Sequence, residues 1–155
     1  DAFGMDRVKA FPARGSDLDW RLRASFVIAL AATLGSLFVS EVLGYPPCVL
    51  CWYQRIAMYP LTVVFGVALW SEDRSYPRYS LPFCALGLLV AGYHNLLYYG
   101  VIPEAITPCQ QGVSCTDRQV ELLGFITVPL MSLATFIFMC ALGIAALDRK
   151  KGASE

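Results

Sequence analysis

Two cysteines three residues apart, Cys48-Val49-Leu50-Cys51, are followed one helical turn later by Arg55. A C-x-x-C pair closes a ring too small to restrain much of an unfolded chain, so it is a poor structural staple. At a helix start the same pair is a redox device. There the unpaired backbone N–H groups and a nearby cation lower a thiol pKa, and the thiolate becomes both a competent nucleophile and a good leaving group. Arg55 lies four residues after Cys51 and seven after Cys48, which puts all three on one helix face, and it is expected to supply that cation. A second pair, Cys109 and Cys115, stands in a more polar stretch. The remaining Cys84 and Cys140 lie in apolar runs, where a thiol acts as a small hydrophobic residue.

The segments that must position these residues are set by composition. Of the 155 residues, 57% are hydrophobic and 15% charged, against roughly 45–50% and about 25% in an average soluble domain. With a mean hydropathy of +0.55, lipid is the expected solvent for much of the surface. Disorder is excluded by the same excess, and a net charge of zero, with its Lys/Arg gathered toward the two ends, does not read as a nucleic-acid binder. Four apolar spans are expected, at about 24–43, 52–70, 79–99 and 121–147, the last long enough to be tilted or partly emergent. The fold class predicted is all-α: a polytopic membrane protein built as a four-helix transmembrane bundle. The short connection 44–51 forces the first two helices into an antiparallel hairpin.

Charge sets the orientation. Ten of the twelve Lys/Arg fall in the leading segment 1–23, the 71–78 turn and the tail 148–155; only Arg55 and Arg118 lie elsewhere. The positive-inside rule therefore predicts cytoplasmic termini and extracytoplasmic loops at 44–51 and 100–120. Tyr45, Trp52, Tyr53, Tyr98 and Tyr99 at one rim, with Trp20, Trp70, Tyr76 and Tyr79 at the other, fit two aromatic belts. A cleaved signal peptide would also begin with basic residues before an apolar run. The first span is too long for one, and its loss would put the remaining termini on opposite sides.

This topology places Cys48, Cys51, Cys109 and Cys115 together on the outer side. They allow a pair of structural disulfides, a four-thiolate zinc site or a relay of two redox-active pairs. Zinc is disfavoured where thiols oxidise, and the small C-x-x-C ring argues against a staple. An arginine in the outer leaflet is costly and can be explained by snorkelling to lipid phosphate. Other polar residues, however, gather at the same depth: Gln54, Glu41, His94 and Asn95. Beside a C-x-x-C and an arginine, His94 becomes a candidate for holding the carbonyl oxygens of a lipid-soluble electron acceptor.

The segment Cys48-Val49-Leu50-Cys51-Trp52-Tyr53-Gln54-Arg55 resembles the active-site segment of the DsbB disulfide bond formation proteins. Pro108-Cys109-Gln110-Gln111-Gly112-Val113-Ser114-Cys115-Thr116 and Tyr93-His94-Asn95-Leu96-Leu97 are similar to the shorter-looped, BdbC-type members, and the likeness extends over about residues 20–148. The resemblance implies a dithiol oxidoreductase of the bacterial cytoplasmic membrane. In it a DsbA-like thioredoxin-fold partner attacks the Cys109–Cys115 disulfide at Cys109, leaving Cys115 as a thiolate. Electrons then pass to Cys48–Cys51 through Cys48, while Cys51 faces a quinone, ubiquinone or menaquinone. Arg55, with Gln54 and His94, would contact that quinone, and no metal is implied. In vitamin K epoxide reductase-like proteins the loop pair precedes the C-x-x-C, the reverse of the order here. A tetraspan structural protein stapled by outer disulfides would have no use for Arg55.

Overall fold

The computed structural model describes residues 16–103, 114–115, 121–122 and 126–152. Four long helices account for nearly all of them: α1 (Ser16–Leu37), which runs on into a π-helical turn at Phe38–Val42, α2 (Val49–Trp70), α3 (Tyr76–Tyr98) and α4 (Val128–Gly152). Three of them are long and apolar enough to cross a membrane, over Trp20–Val42, Tyr76–Tyr98 and Val128–Asp148. Helix α2 has the length, but Gln54, Arg55, Tyr59 and Pro60 dilute its apolar character. The first helix starts at Ser16, so the expected leading segment 1–23 is helical over its last residues.

The fourth helix begins seven residues later than the expected 121. Residues Glu121–Leu122 and Ile126–Thr127 instead pair as a two-residue antiparallel ladder, β1 with β2. Thr127 then ends the ladder by capping α4: its Oγ1 accepts the Leu130 N–H at 3.4 Å. Pro129, in the first helical turn, loses nothing there by lacking an N–H.

Consecutive helices alternate in direction, and α4 closes the bundle against both α3 and α1. At one end the Arg21 guanidinium of α1 donates to the Ala145 carbonyl of α4 at 2.6 Å, so the start of α1 and the end of α4 lie together. At the other end Asn95 Nδ2 donates to the Pro129 carbonyl at 2.8 Å, tying α3 to the first turn of α4. Between these ends the core is filled by Leu61, Phe65, Tyr76, Phe136 and Met139. Tyr76 belongs to this core, edge-on to Phe65 at 6.0 Å, and not to an aromatic belt as its position in the sequence suggested. Helices α3 and α4 approach closely because Gly87 has no side chain to fend off the Phe136 ring.

Away from this core, Leu89, Val63, Val67, Ile137 and Ile144 are exposed. Such outward apolar surface suits hydrocarbon. Cys84 is buried in the core, and Cys140 packs against the same cluster, as expected of thiols used as small apolar side chains.

Candidate functional site

Pro46 and Pro47 keep the chain extended ahead of α2, and Cys48 takes the N-cap with φ −70° and ψ 168°. Its sulfur does the work of a capping oxygen, accepting the Cys51 N–H at 3.4 Å. The sulfurs of Cys48 and Cys51 lie 3.0 Å apart as free thiols. Closing the disulfide from there needs a shift of about 1 Å. Cys48 also has His94 Nε2 at 4.0 Å, so it is the sulfur better placed to accept hydrogen bonds as a thiolate. Its thiol is lowered from 9.0 to about 4, chiefly by the hydrogen bond from the Cys51 thiol and then by His94, against the opposing effect of burial. The sequence suggested that Arg55 would supply the charge that lowers a thiol. For Cys48 the causes are the neighbouring thiol, His94 and the helix start.

His94 is only 2% exposed. Its Nδ1 lies 3.2 Å from Gln54 Nε2, and its Nε2 lies 3.0 Å from the Cys115 carbonyl oxygen. Cys115, itself buried, is disulfide-bonded, while Cys109 lies outside the described residues. His94 Nε2 thus stands between Cys48 of the C-x-x-C and the backbone of Cys115 in the second cysteine pair, while Nδ1 faces Gln54. The Schellman turn that ends α3 fixes this level: Val101 N–H donates to the Leu96 carbonyl at 2.9 Å and Gly100 N–H to the Leu97 carbonyl at 3.0 Å, with Gly100 at φ +74°.

Arg55 is buried and turned toward α1. Its Nε donates to Ser36 Oγ at 2.9 Å, one terminal nitrogen donates to the Ser36 carbonyl at 3.0 Å, and the guanidinium lies over the Trp52 ring at 5.4 Å. Such anchoring differs from a side chain reaching for lipid phosphate. Ser36 is the partner that the sequence reading missed. A run of small residues, Ala31, Ala32, Gly35 and Ser36, was its only signal.

These residues converge on a cavity of about 540 Å³. Cys48, Cys51, Gln54, Arg55, His94 and Cys115 all line it, and its walls are mainly apolar, with Ile28 and Val39 from α1 and its π turn, Met58 from α2, and Met131 and Phe136 from α4. Two residues expected at this depth do not join it. Glu41 is exposed in the π-helical turn, accepting from Ser40, and Asn95 is turned to the backbone of α3 and α4. The donor atoms of Cys48, Cys51 and His94 lie within 4.8 Å of one another. A four-thiolate zinc set does not fit, because Cys115 is already disulfide-bonded.

The family model described as "Disulfide bond formation protein DsbB" matches residues 19–146. The chain belongs to the DsbB family. As a DsbB-family member it is a membrane protein of disulfide bond formation, with an oxidoreductase role in that process. It is 42% identical over 125 residues to "Disulfide bond formation protein C" of Bacillus subtilis (strain 168), covering 78% of this chain and 91% of that one. It is 41% identical over 129 residues to a "Probable disulfide formation protein" of Metapseudomonas resinovorans, covering 82% and 90%. A "Probable disulfide formation protein C 2" of Bacillus cereus (strain ATCC 10987 / NRS 248) is 37% identical over 131 residues, covering 84% and 94%. No solved structure matches. The DsbB resemblance carried by the two cysteine motifs is therefore borne out, including its short-looped, C-type character.

Proposed function

We propose that the protein is a dithiol:quinone oxidoreductase that reoxidises a DsbA-like thioredoxin-fold partner in the bacterial cytoplasmic membrane. The observation that carries this reading is the apolar cavity, on whose wall a C-x-x-C pair, a buried arginine, a buried histidine and a disulfide-bonded cysteine stand together. In this reading α2 is a fourth span, both termini are cytoplasmic, and residues 44–51 and 100–120 face outward.

The residues suit a quinone. Its ring and isoprenoid tail need apolar walls, and its carbonyl oxygens need a donor of the kind Arg55 carries; His94 stands on the same wall with its Nε2 committed to the Cys115 carbonyl. Bound there, a quinone, ubiquinone or menaquinone, would supply a two-electron, two-proton acceptor. The protein's own part is thiol–disulfide exchange. A partner thiolate attacks Cys109, the Cys109–Cys115 bond breaks, and Cys115 leaves as a thiolate. The partner's second thiolate then displaces Cys109 and closes the partner's disulfide. A thiolate of the reduced loop pair attacks Cys48, Cys51 leaves, and the second loop thiolate displaces Cys48. Two electrons have then reached the C-x-x-C pair. Cys51 and Arg55 share the cavity wall, and Arg55, braced by Ser36, holds positive charge where negative charge develops.

The test is direct. Purified protein mixed with a reduced thioredoxin-fold dithiol protein should bleach quinone absorbance in proportion to partner disulfide formed. Partner oxidation with no quinone consumed would overturn the assignment.

A further inference from the structure

The contact between Gln54 and His94 has no part in the exchange steps themselves, yet for a neutral imidazole its hydrogen-bond logic is set by its partners. Gln54 Nε2 lies 3.2 Å from His94 Nδ1, and His94 Nε2 lies 3.0 Å from the Cys115 carbonyl oxygen and 4.0 Å from Cys48 Sγ. Gln54, His94, Cys48 and Cys115 are all buried. An amide N–H only donates and a carbonyl oxygen only accepts. Nδ1 is therefore the bare nitrogen, and Nε2 carries the proton. In a neutral ring the reversed amide would need the proton on Nδ1 and would aim the Nε2 lone pair at the Cys115 carbonyl, setting two acceptors face to face.

We infer that Gln54 is a positioning residue for the relay: it fixes the His94 tautomer, so that the Nε2–H holds the backbone of Cys115 beside Cys48. The inference rests on the relay reading above and assigns Gln54 a role other than quinone contact. Gln54 sits on α2, His94 on α3 and Cys115 in the second outer loop, so the contact joins three segments at the point where the two redox pairs must meet. An exposed loop pair would otherwise have to find Cys48 by diffusion of the loop. Holding one residue of that pair in place converts the exchange into a step between positioned groups. The electron balance is unchanged: a loop thiolate forms the bond to Cys48, the Cys48–Cys51 bond breaks, and Cys51 takes the electron pair.

Two substitutions of opposite chemistry test this. Gln54→Leu removes the donor to Nδ1. Gln54→Glu replaces it with an acceptor, so Nδ1 must carry a proton; Nε2 is then protonated only while the ring is an imidazolium. The other titratable groups on the cavity wall are Tyr45, Cys48, Cys51, Arg55, Tyr59 and Tyr98, and the substitutions leave them in place.

The full-length protein, oxidised and free of quinone, would be mixed with a reduced thioredoxin-fold dithiol protein and quenched in acid. Differential alkylation would then separate Cys48 and Cys51 thiols from those of Cys109 and Cys115. Gln54→Leu should slow transfer into the C-x-x-C about tenfold, the effect typical of losing a group that orients a working histidine, while reduction of the loop pair keeps its rate. Gln54→Glu should match the native protein at acid pH and fall behind it as pH rises and the imidazolium is lost. A native-to-Glu rate ratio independent of pH would overturn the inference, as would Gln54→Leu raising the quinone KM with the inter-pair rate unchanged. Failure of the native protein to pass electrons from the loop pair to the C-x-x-C would instead remove the relay itself.

Discussion

At the scale of single residues, the charge on Arg55 and the proton affinity of Cys48 make separate predictions. Arg55 is braced by two hydrogen bonds to Ser36 and stacked over Trp52. A lysine's point charge cannot reproduce that fork. Arg55→Ala is expected to lower turnover with quinone by about 10²–10³, comparable to losing one oxyanion donor, and Arg55→Lys should recover only part of it. Steady-state kinetics with varied quinone measure this, and native kinetics in both variants would reduce Arg55 to a packing role. For Cys48 the sign follows from a thiol lowered from 9.0 to about 4. The thiolate's interactions stabilise the reduced, folded protein increasingly as pH rises from about 4 toward 9.0, and that contribution is lost as pH falls through about 4. Ultraviolet thiolate absorbance of the reduced, quinone-free protein should therefore hold through the neutral range and drop only near that value, and Cys48→Ser should abolish it. A midpoint in the neutral range would show that the capping and thiol hydrogen bonds do not hold the charge. A third expectation concerns trapping. Exchange passes through a mixed disulfide that persists when the resolving thiol is missing, so Cys115→Ser should accumulate a partner adduct at Cys109 on a non-reducing gel. An adduct at Cys115 in the Cys109→Ser variant would reverse the order.

At the scale of elements, close helix contact depends on where side chains are absent. A Cβ on Gly87 would lie 2.1 Å from Phe136 Cε1, whereas one on Gly92 would meet nothing within 4 Å. Gly87→Ala should therefore cost about 1–3 kcal/mol by overpacking the interface between α3 and α4, and Gly92→Ala on the same helix should be near neutral. Thermal unfolding in detergent compares them, and equal effects would mean that α3 and α4 do not pack at Gly87. The sequence could not distinguish these two glycines, because which one faces α4 is decided by helix rotation in the assembled bundle. The same limit explains what was legible in the site. Cys48, Cys51 and Arg55 could be grouped because their spacing is local to one helix. His94 and Gln54 were legible as costly polar residues in apolar runs, but their hydrogen bond to each other was not. Ser36, a small hydroxyl in a span, carries no such cost, and only the run of small residues around it marked the place. Glu41 and Asn95 were grouped with His94 and Gln54 by depth and yet do not line the cavity, for the converse reason: depth along a helix was readable, and the face was not. The start of α4 was obscured because Glu121–Thr127 is as apolar as the helix it precedes, and only the capping contact of Thr127 with Leu130 separates them.

At the scale of the whole molecule, the alternating bundle fixes relative positions, and charge supplies the direction. Arg21 meets the end of α4 through the Ala145 carbonyl, so the start of α1 and the end of α4 share one end of the bundle, while Cys48, His94 and Cys115 share the opposite end. In the sequence, every Lys/Arg except Arg55 and Arg118 lies ahead of or early in α1, in the 71–78 turn, or in the last seven residues. Reversing the molecule would send ten cations across the bilayer and leave two behind, against the bias that sets membrane topology. It would also put both cysteine pairs in a compartment that keeps thiols reduced, where a disulfide donor could not be recharged for secreted proteins. The prediction is that a membrane-impermeant maleimide added to intact cells labels Cys109 and Cys115 after mild reduction. In a Ser75→Cys variant the added thiol should react only after the cells are broken. Ser75 suits the test because it lies in the turn between α2 and α3, at the end remote from the site. Labelling of that variant from outside with the loop cysteines shielded would overturn the predicted orientation; labelling of both the variant thiol and the loop cysteines from outside would show that α3, which separates them in the chain, does not cross the membrane.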